Sequence, residues 1–152
     1  MNADYINPFL IAATKVLKEM VFIDAKIGKA YAKDTRFESQ SLLIMLGVTG
    51  KMKGQVILDF NEAVALDVAS KMCMMPLEEM NELAQSAVCE LGNMILGNTA
   101  TVFSTKGIGI DITPPTICNG PVTFTNMYTR NICIPLIYDE DKVIEINVAL
   151  SA

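Results

Sequence analysis

Apolar residues recur three and four positions apart through Phe9, Ala12, Ala13, Val16, Leu17 and Met20, the period of a helix with one buried face. Asn7-Pro8 reads as its start, with Asn7 the cap and Pro8 at the first helical position. The pattern turns strand-like over residues 21–32. Residues 41–48 and 55–60 read as the next two strands, joined by the turn Thr49-Gly50-Lys51-Met52-Lys53-Gly54. Asn61 then caps a helix that reaches about Met72, with Ala63, Leu66, Ala69 and Met72 inward, and Met75-Pro76 breaks it. A long helix follows from about Glu78 to Phe103. Residues 107–112 alternate weakly as a strand that Thr113-Pro114-Pro115 cannot continue. Gly120-Pro121 is a turn, and residues 122–138 hold one long strand or two. Asp139-Glu140-Asp141-Lys142 is a charged turn before a last strand, residues 143–150, with Glu145 and Asn147 on one face.

This order predicts one α+β domain over residues 1–152, a sheet with flanking helices and a long central helix. Each half is a helix followed by strands. Sliding the two helices together sets Ala12 over Ser86, Val16 over Glu90 and Glu19-Met20 over Asn93-Met94. The expectation is a duplicated ancestor whose first copy has lost the polar residues of the second.

Composition narrows the chemistry. The chain is 51% hydrophobic and 19% charged, which is globular rather than disordered. No apolar run approaches the roughly 18 residues of a membrane helix, and Met1-Asn2-Ala3-Asp4-Tyr5 opens no signal peptide. A cytoplasmic protein with no membrane partner is expected. The net charge is −5, from 12 basic and 17 acidic residues, with no Lys or Arg run, so nucleic-acid binding lacks its driving term. Cys73, Cys89, Cys118 and Cys133 form no C-x-x-C pair and read as buried thiols. The count of histidines is 0, which removes Ser-His-Asp triads, Cys-His dyads and histidine metal ligands. Lys71-Met72-Cys73-Met74-Met75-Pro76 reads as core filling rather than a soft-metal site. The scattered Asp and Glu residues lack calcium-loop spacing, and Lys51 and Lys53 belong to a hairpin turn. No metal site is expected.

The long helix carries the most specific pattern. At ~100° per residue, Ser86, Glu90, Asn93 and Gly97 fall within an arc of about 60°. Leu83, Ala87, Val88, Leu91, Met94 and Ile95 take the opposite side. A polar stripe of this kind is usually a solvated face. Here Gly92, Asn93, Gly97 and Asn98 crowd six positions, and each Gly costs a helix about 0.8–1 kcal/mol against Ala. Such costs point to close backbone approach or to a site.

Glu90-Leu91-Gly92-Asn93-Met94-Ile95-Leu96-Gly97-Asn98 resembles the signature of the CheC/CheX/FliY phosphatases of bacterial chemotaxis. That pattern is Asp or Ser, three residues, Glu, two residues, Asn, then a proline about twenty residues on. Here those positions are Ser86, Glu90, Asn93 and Pro114 or Pro115. Asn7-Pro8-Phe9, Gly47-Val48-Thr49-Gly50 before Lys53-Gly54, and Ala65-Leu66 before Ser70-Lys71-Met72 are similar to the CheX branch, as is the single motif copy. Gly92 departs from the family's more frequent alanine, a difference expected to touch helix stability more than chemistry.

The resemblance implies a CheC-like fold with an antiparallel-rich sheet. It implies hydrolysis of the aspartyl phosphate of a CheY-type response regulator in chemotaxis or two-component signalling. Asn93 would orient the attacking water and Glu90 would pair with the regulator's lysine. Ser86, Gly97, Pro114 and Pro115 would form the partner-facing surface. No cofactor is implied in this chain, and Mg²⁺ would sit in the partner. A homodimer joined at a sheet edge is also implied, with residues 122–138 able to supply the edge. The alternative is a non-catalytic module of the same fold that binds a regulator or the flagellar switch.

Overall fold

A computed structural model describes residues 3–125 and 130–151. Two long hairpins organise it. β4 (Ser41–Gly50) and β5 (Lys53–Asn61) turn back at Lys51-Met52. β9 (Ile132–Tyr138) and β10 (Lys142–Ser151) turn back through Asp139 and Glu140, both at positive φ. β5 and β10 lie antiparallel at the centre, Asp59 opposite Glu145 and Val56 opposite Val148. The short strands β1 (Lys26–Ile27) and β2 (Tyr31–Ala32) flank β9, while β6 (Ile110–Ile112) and β7 (Thr116–Asn119) flank β4. β3 (Arg36–Phe37) and β8 (Val122–Thr123) pair as a separate two-stranded sheet.

Among the described residues three helices, α1 (Ala3–Val21), α2 (Glu62–Cys73) and α3 (Glu82–Thr105), form. Alternation along the strands gives one apolar face, and Leu46, Leu58, Phe60, Leu136 and Ile146 bury there with Phe9, Leu17, Val68, Leu91 and Phe103 of the helices. Each such side chain contributes about 1.5–3 kcal/mol on full burial. The other face holds Leu43 and Ile57 under Phe37. Asn147 and Glu145 do share that face, but Asn147 is buried, bonded to Asn131 at 3.0 Å and to Ile57 O at 3.3 Å.

Several sequence expectations need correction. α1 begins at Ala3, so Asn7 does not cap it and Pro8 lies in its second turn. Burial of Ile6, Pro8 and Phe9 holds that turn despite the missing N–H. The inward face of α2 is Val64, Ala65, Val68 and Ala69; Ala63 is exposed, and Leu66 and Met72 are only partly buried. α3 starts at Glu82 because Asn81 Oδ1 accepts the Ala84 N–H at 2.9 Å, a cap that contributes about 1 kcal/mol. Leu83 is 50% exposed, since its position on the wheel adjoins Glu90 rather than opposing it. Residues 21–32 form the end of α1 and two short strands. Of residues 122–138, positions 126–129 lie outside the described residues. β9 is flanked by β1 and β2 on one side and β10 on the other, so it supplies no open edge.

The pairing pattern is two-fold. Exchange of α1 to β5 with α3 to β10 maps each strand-to-strand pairing onto another or onto itself. Lys26, Ile27, Tyr31 and Ala32 pair with Ile137, Leu136, Cys133 and Ile132 of β9. Asp111, Ile112, Thr116 and Ile117 pair with Thr49, Val48, Met45 and Ile44 of β4 at the same spacings. β5 pairs with β10, and β3 with β8. The helices follow suit. Leu17 O accepts the Ile23 N–H and Phe103 O the Ile108 N–H, both at 3.0 Å. The buried series Ile6, Phe9, Ala13, Leu17 matches Gly92, Ile95, Thr99, Phe103. This supports the duplication but moves the helix alignment by about three turns. Asp4 and Asn7 then stand where Glu90 and Asn93 stand in α3, so the first half keeps a carboxylate and an amide rather than having lost them.

Candidate functional site

α3 lies over β4 with its apolar stripe down and its polar stripe toward solvent. Gly92 allows that seating: a Cβ there would stand 2.9 Å from Ile44 Cγ2 and 3.3 Å from Leu46 Cδ1. Alanine at this position would therefore strain packing, not merely alter helix propensity. Ser86, Glu90 and Asn93 are exposed on the outer face. Among the described residues no hydrogen bond or ion pair engages the Glu90 carboxylate or the Asn93 carboxamide. Their donor and acceptor capacity is open to a partner. Asn98, by contrast, is turned back on its own helix, its Nδ2 donating to Met94 O at 2.8 Å.

Across from this stripe runs the loop after β6. Thr113, Pro114 and Pro115 wall a groove of about 450 Å³ whose other side is Ser86, Glu90 and Asn93. The structure thus brings together five of the six residues singled out in the sequence. Gly97 lies one turn beyond Asn93, outside the groove, and a Cβ built on it meets nothing within 4 Å. Cys89 also lines the groove. Burial pushes its thiol up, which keeps it protonated and unsuited to nucleophilic attack.

Thr113, which the sequence pattern marks only as the end of a strand, also lines the groove. Its N–H donates to Gly47 O at 3.0 Å, and its Oγ1 accepts the Gly47 N–H at 2.7 Å. These bonds fix the loop to β4 just before the two prolines. A threonine at the stop of a strand, with a glycine in a facing strand, was the available signal. Among the described residues no group of three or more Cys, Asp or Glu side chains converges to hold a metal ion, and no helix is long and apolar enough to cross a membrane.

An antiparallel sheet backed by three helices, with one helix presenting an amide and a carboxylate a turn apart, defines a CheC-like α+β fold. A CheC-like superfamily protein from Shewanella sp. PV-4 superposes with a TM-score of 0.87 at 28% identity, covering 100% of both chains. CheX in the CheX–CheY–BeF3–Mg²⁺ complex from Borrelia burgdorferi superposes with a TM-score of 0.85 at 29% identity, covering 99% of this chain and 100% of that one. The CheY-P phosphatase CheX of Thermotoga maritima is 34% identical over 121 residues, 79% of this chain and 78% of that protein. Residues 42–135 match the family described as chemotaxis phosphatase CheX. The chain belongs to the CheX family.

Proposed function

We propose that this chain hydrolyses the aspartyl phosphate of a CheY-type response regulator. The observation that carries the reading is the Glu90/Asn93 pair, exposed and unbonded along a groove walled by Pro114 and Pro115. The Thermotoga maritima relative bears the name CheY-P phosphatase, and the Borrelia burgdorferi relative is complexed with CheY, BeF3 and Mg²⁺. In this reading the regulator contributes the phosphoaspartate, Mg²⁺ and a lysine.

Asn93 enters the regulator's site and orients a water in line with phosphorus. The water oxygen bonds to phosphorus as the bond to the aspartyl oxygen breaks, leaving a carboxylate and inorganic phosphate. A carboxamide both accepts from the water and donates, and it adds no negative charge beside the transferring group. Glu90 pairs with the regulator's lysine and fixes the docking register. Ser86, Pro114 and Pro115 line the surface on which the regulator sits, and Gly97 leaves room for it beyond Asn93.

The test is loss of aspartyl phosphate from a cognate CheY-type regulator with Mg²⁺. Asn93→Ala is expected to lower kcat by about a hundredfold or more, the scale of losing one positioned polar group. Glu90→Ala is expected to act mainly through KM. Binding without acceleration by the wild type would leave a docking module only. A homodimer also belongs to this reading, joined at an outer edge, β1/β2 or β6/β7, rather than through β9. Sedimentation showing a concentration-independent monomer would remove it.

A further inference from the structure

A second groove runs along α1, sharing with the first the equivalents of Cys89, Asn93 and Pro115, here Ala3, Asn7 and Ala30. Asn7, Leu10, Ala30 and Tyr31 line it, with a volume of about 400 Å³. Its far wall is Ala30, the last residue of the loop after β1, with Tyr31 and Ala32 of β2, and that loop hangs on the sheet as its counterpart does. The Gly28 N–H donates to Pro135 O at 2.8 Å, as the Thr113 N–H donates to Gly47 O at 3.0 Å. Asp4, Asn7 and Ile11 follow one another along the exposed side of α1, where α3 shows Glu90, Asn93 and Gly97. Carboxylate and amide keep their spacing in both helices.

The third position breaks the match. A Cβ on Gly97 would meet nothing within 4 Å, whereas Ile11 is a branched side chain 51% exposed. The fold itself gives little reason for it. Isoleucine is a poorer helix former than alanine or leucine, and half exposure wastes much of its apolar surface. Yet it stands where a partner receiving the amide one turn earlier must close against the helix. Positioning for attack tolerates only about 3–3.5 Å between reacting atoms, so a side chain that holds the two surfaces apart removes turnover.

We infer that Ile11 is a specificity-determining residue: it keeps α1, a second carboxylate–amide face, from inserting Asn7 into a phosphorylated regulator, and so confines turnover to α3. This rests on the reading of α3 proposed above. On the second groove Ala30 holds the place of Pro115, and no proline lines it, so removing the block recovers only part of a full site.

The test uses the full chain with Asn93→Ala as background, a phosphorylated CheY-type regulator and Mg²⁺. Adding Ile11→Gly is expected to raise loss of aspartyl phosphate on the order of tenfold over that background. Adding Asn7→Ala must then remove the gain. Ile11→Ala, which preserves helix propensity, is the second variant, and circular dichroism checks that α1 survives in both. Folded Ile11 variants that stay at the Asn93→Ala level overturn the inference, as does a gain indifferent to Asn7→Ala. An inactive wild type would instead sink the α3 reading, so the two failures are distinguishable.

Discussion

Gly47 and Thr113 hold one another by two hydrogen bonds, Gly47 N–H to Thr113 Oγ1 at 2.7 Å and Thr113 N–H to Gly47 O at 3.0 Å. They also touch closely, since a Cβ on Gly47 would lie 3.0 Å from Thr113 Cγ2. The bonded loop continues directly into Pro114 and Pro115, so the far wall of the groove is anchored to the strand beneath α3.

Thr113→Val keeps the shape and removes the hydroxyl acceptor. The expected loss of stability is about 0.5–1.5 kcal/mol, read by urea denaturation. The larger consequence falls on docking: KM for the phosphorylated regulator should rise while kcat changes little. An unchanged KM would mean that the loop keeps its place without the hydroxyl.

Gly92→Ala sets two effects against each other. Helix propensity favours alanine by about 0.8–1 kcal/mol. Against it, the new Cβ would stand 2.9 Å from Ile44 Cγ2, a branch close to the backbone with little freedom to yield. Overpacking of this kind costs about 1–3 kcal/mol, so a net loss of stability is expected, with an unchanged denaturant m-value. Lifting α3 from β4 should also widen the groove and lower kcat/KM. A more stable variant would show that the core relaxes around the added methyl.

How much of this could be read in the sequence depended on whether local signals and packing agreed. The β4–β5 hairpin carries alternation and a turn, and the Asn61 side chain accepts the Val64 N–H at 2.8 Å as its cap position predicts. The stripe Ser86, Glu90, Asn93 was legible because a helix repeats its faces regularly; the prolines were legible as the end of a strand, and their place at the site only as what the family resemblance implies. Pro8 misled because proline usually marks a helix start, while burial of Ile6 and Phe9 carries α1 further back. β1, β2 and β7 are too short to show a period. The equivalence of Asn7 with Asn93 lay in strand register, which joins residues far apart in sequence and becomes visible only when the strands are paired.

The partly buried Asp59 lies directly across the β5–β10 ladder from Glu145. Burial pushes its carboxyl up; the Ser41 hydrogen bond and the charge of Lys33 pull it back in part, and the Glu145 carboxylate adds to the rise. A carboxyl raised in the folded state stabilises fully below its unfolded pKa, about 3.9, and that contribution is lost as pH rises through the folded pKa. Asp59→Asn is therefore expected to raise Tm at about pH 7, with the gain shrinking toward zero below about pH 4. Thermal melts of both proteins across that range decide it. A gain independent of pH would assign the effect to packing rather than to charge.

Gly97→Leu separates folding from docking. Nothing lies within 4 Å of a Cβ at this position, so a side chain can leave the helix there without a clash at its first carbon, and replacing glycine in a helix should stabilise α3 by about 0.5–1 kcal/mol. In the proposed function that same space lets the regulator close over the helix beyond Asn93. The variant should then be more stable in urea yet bind the regulator more weakly, with KM raised and kcat reduced less than by Asn93→Ala. Joint improvement of stability and KM would remove Gly97 from the partner-facing surface. The expected opposition, a helix made firmer and a site made worse, would account for a glycine retained in the middle of the long helix.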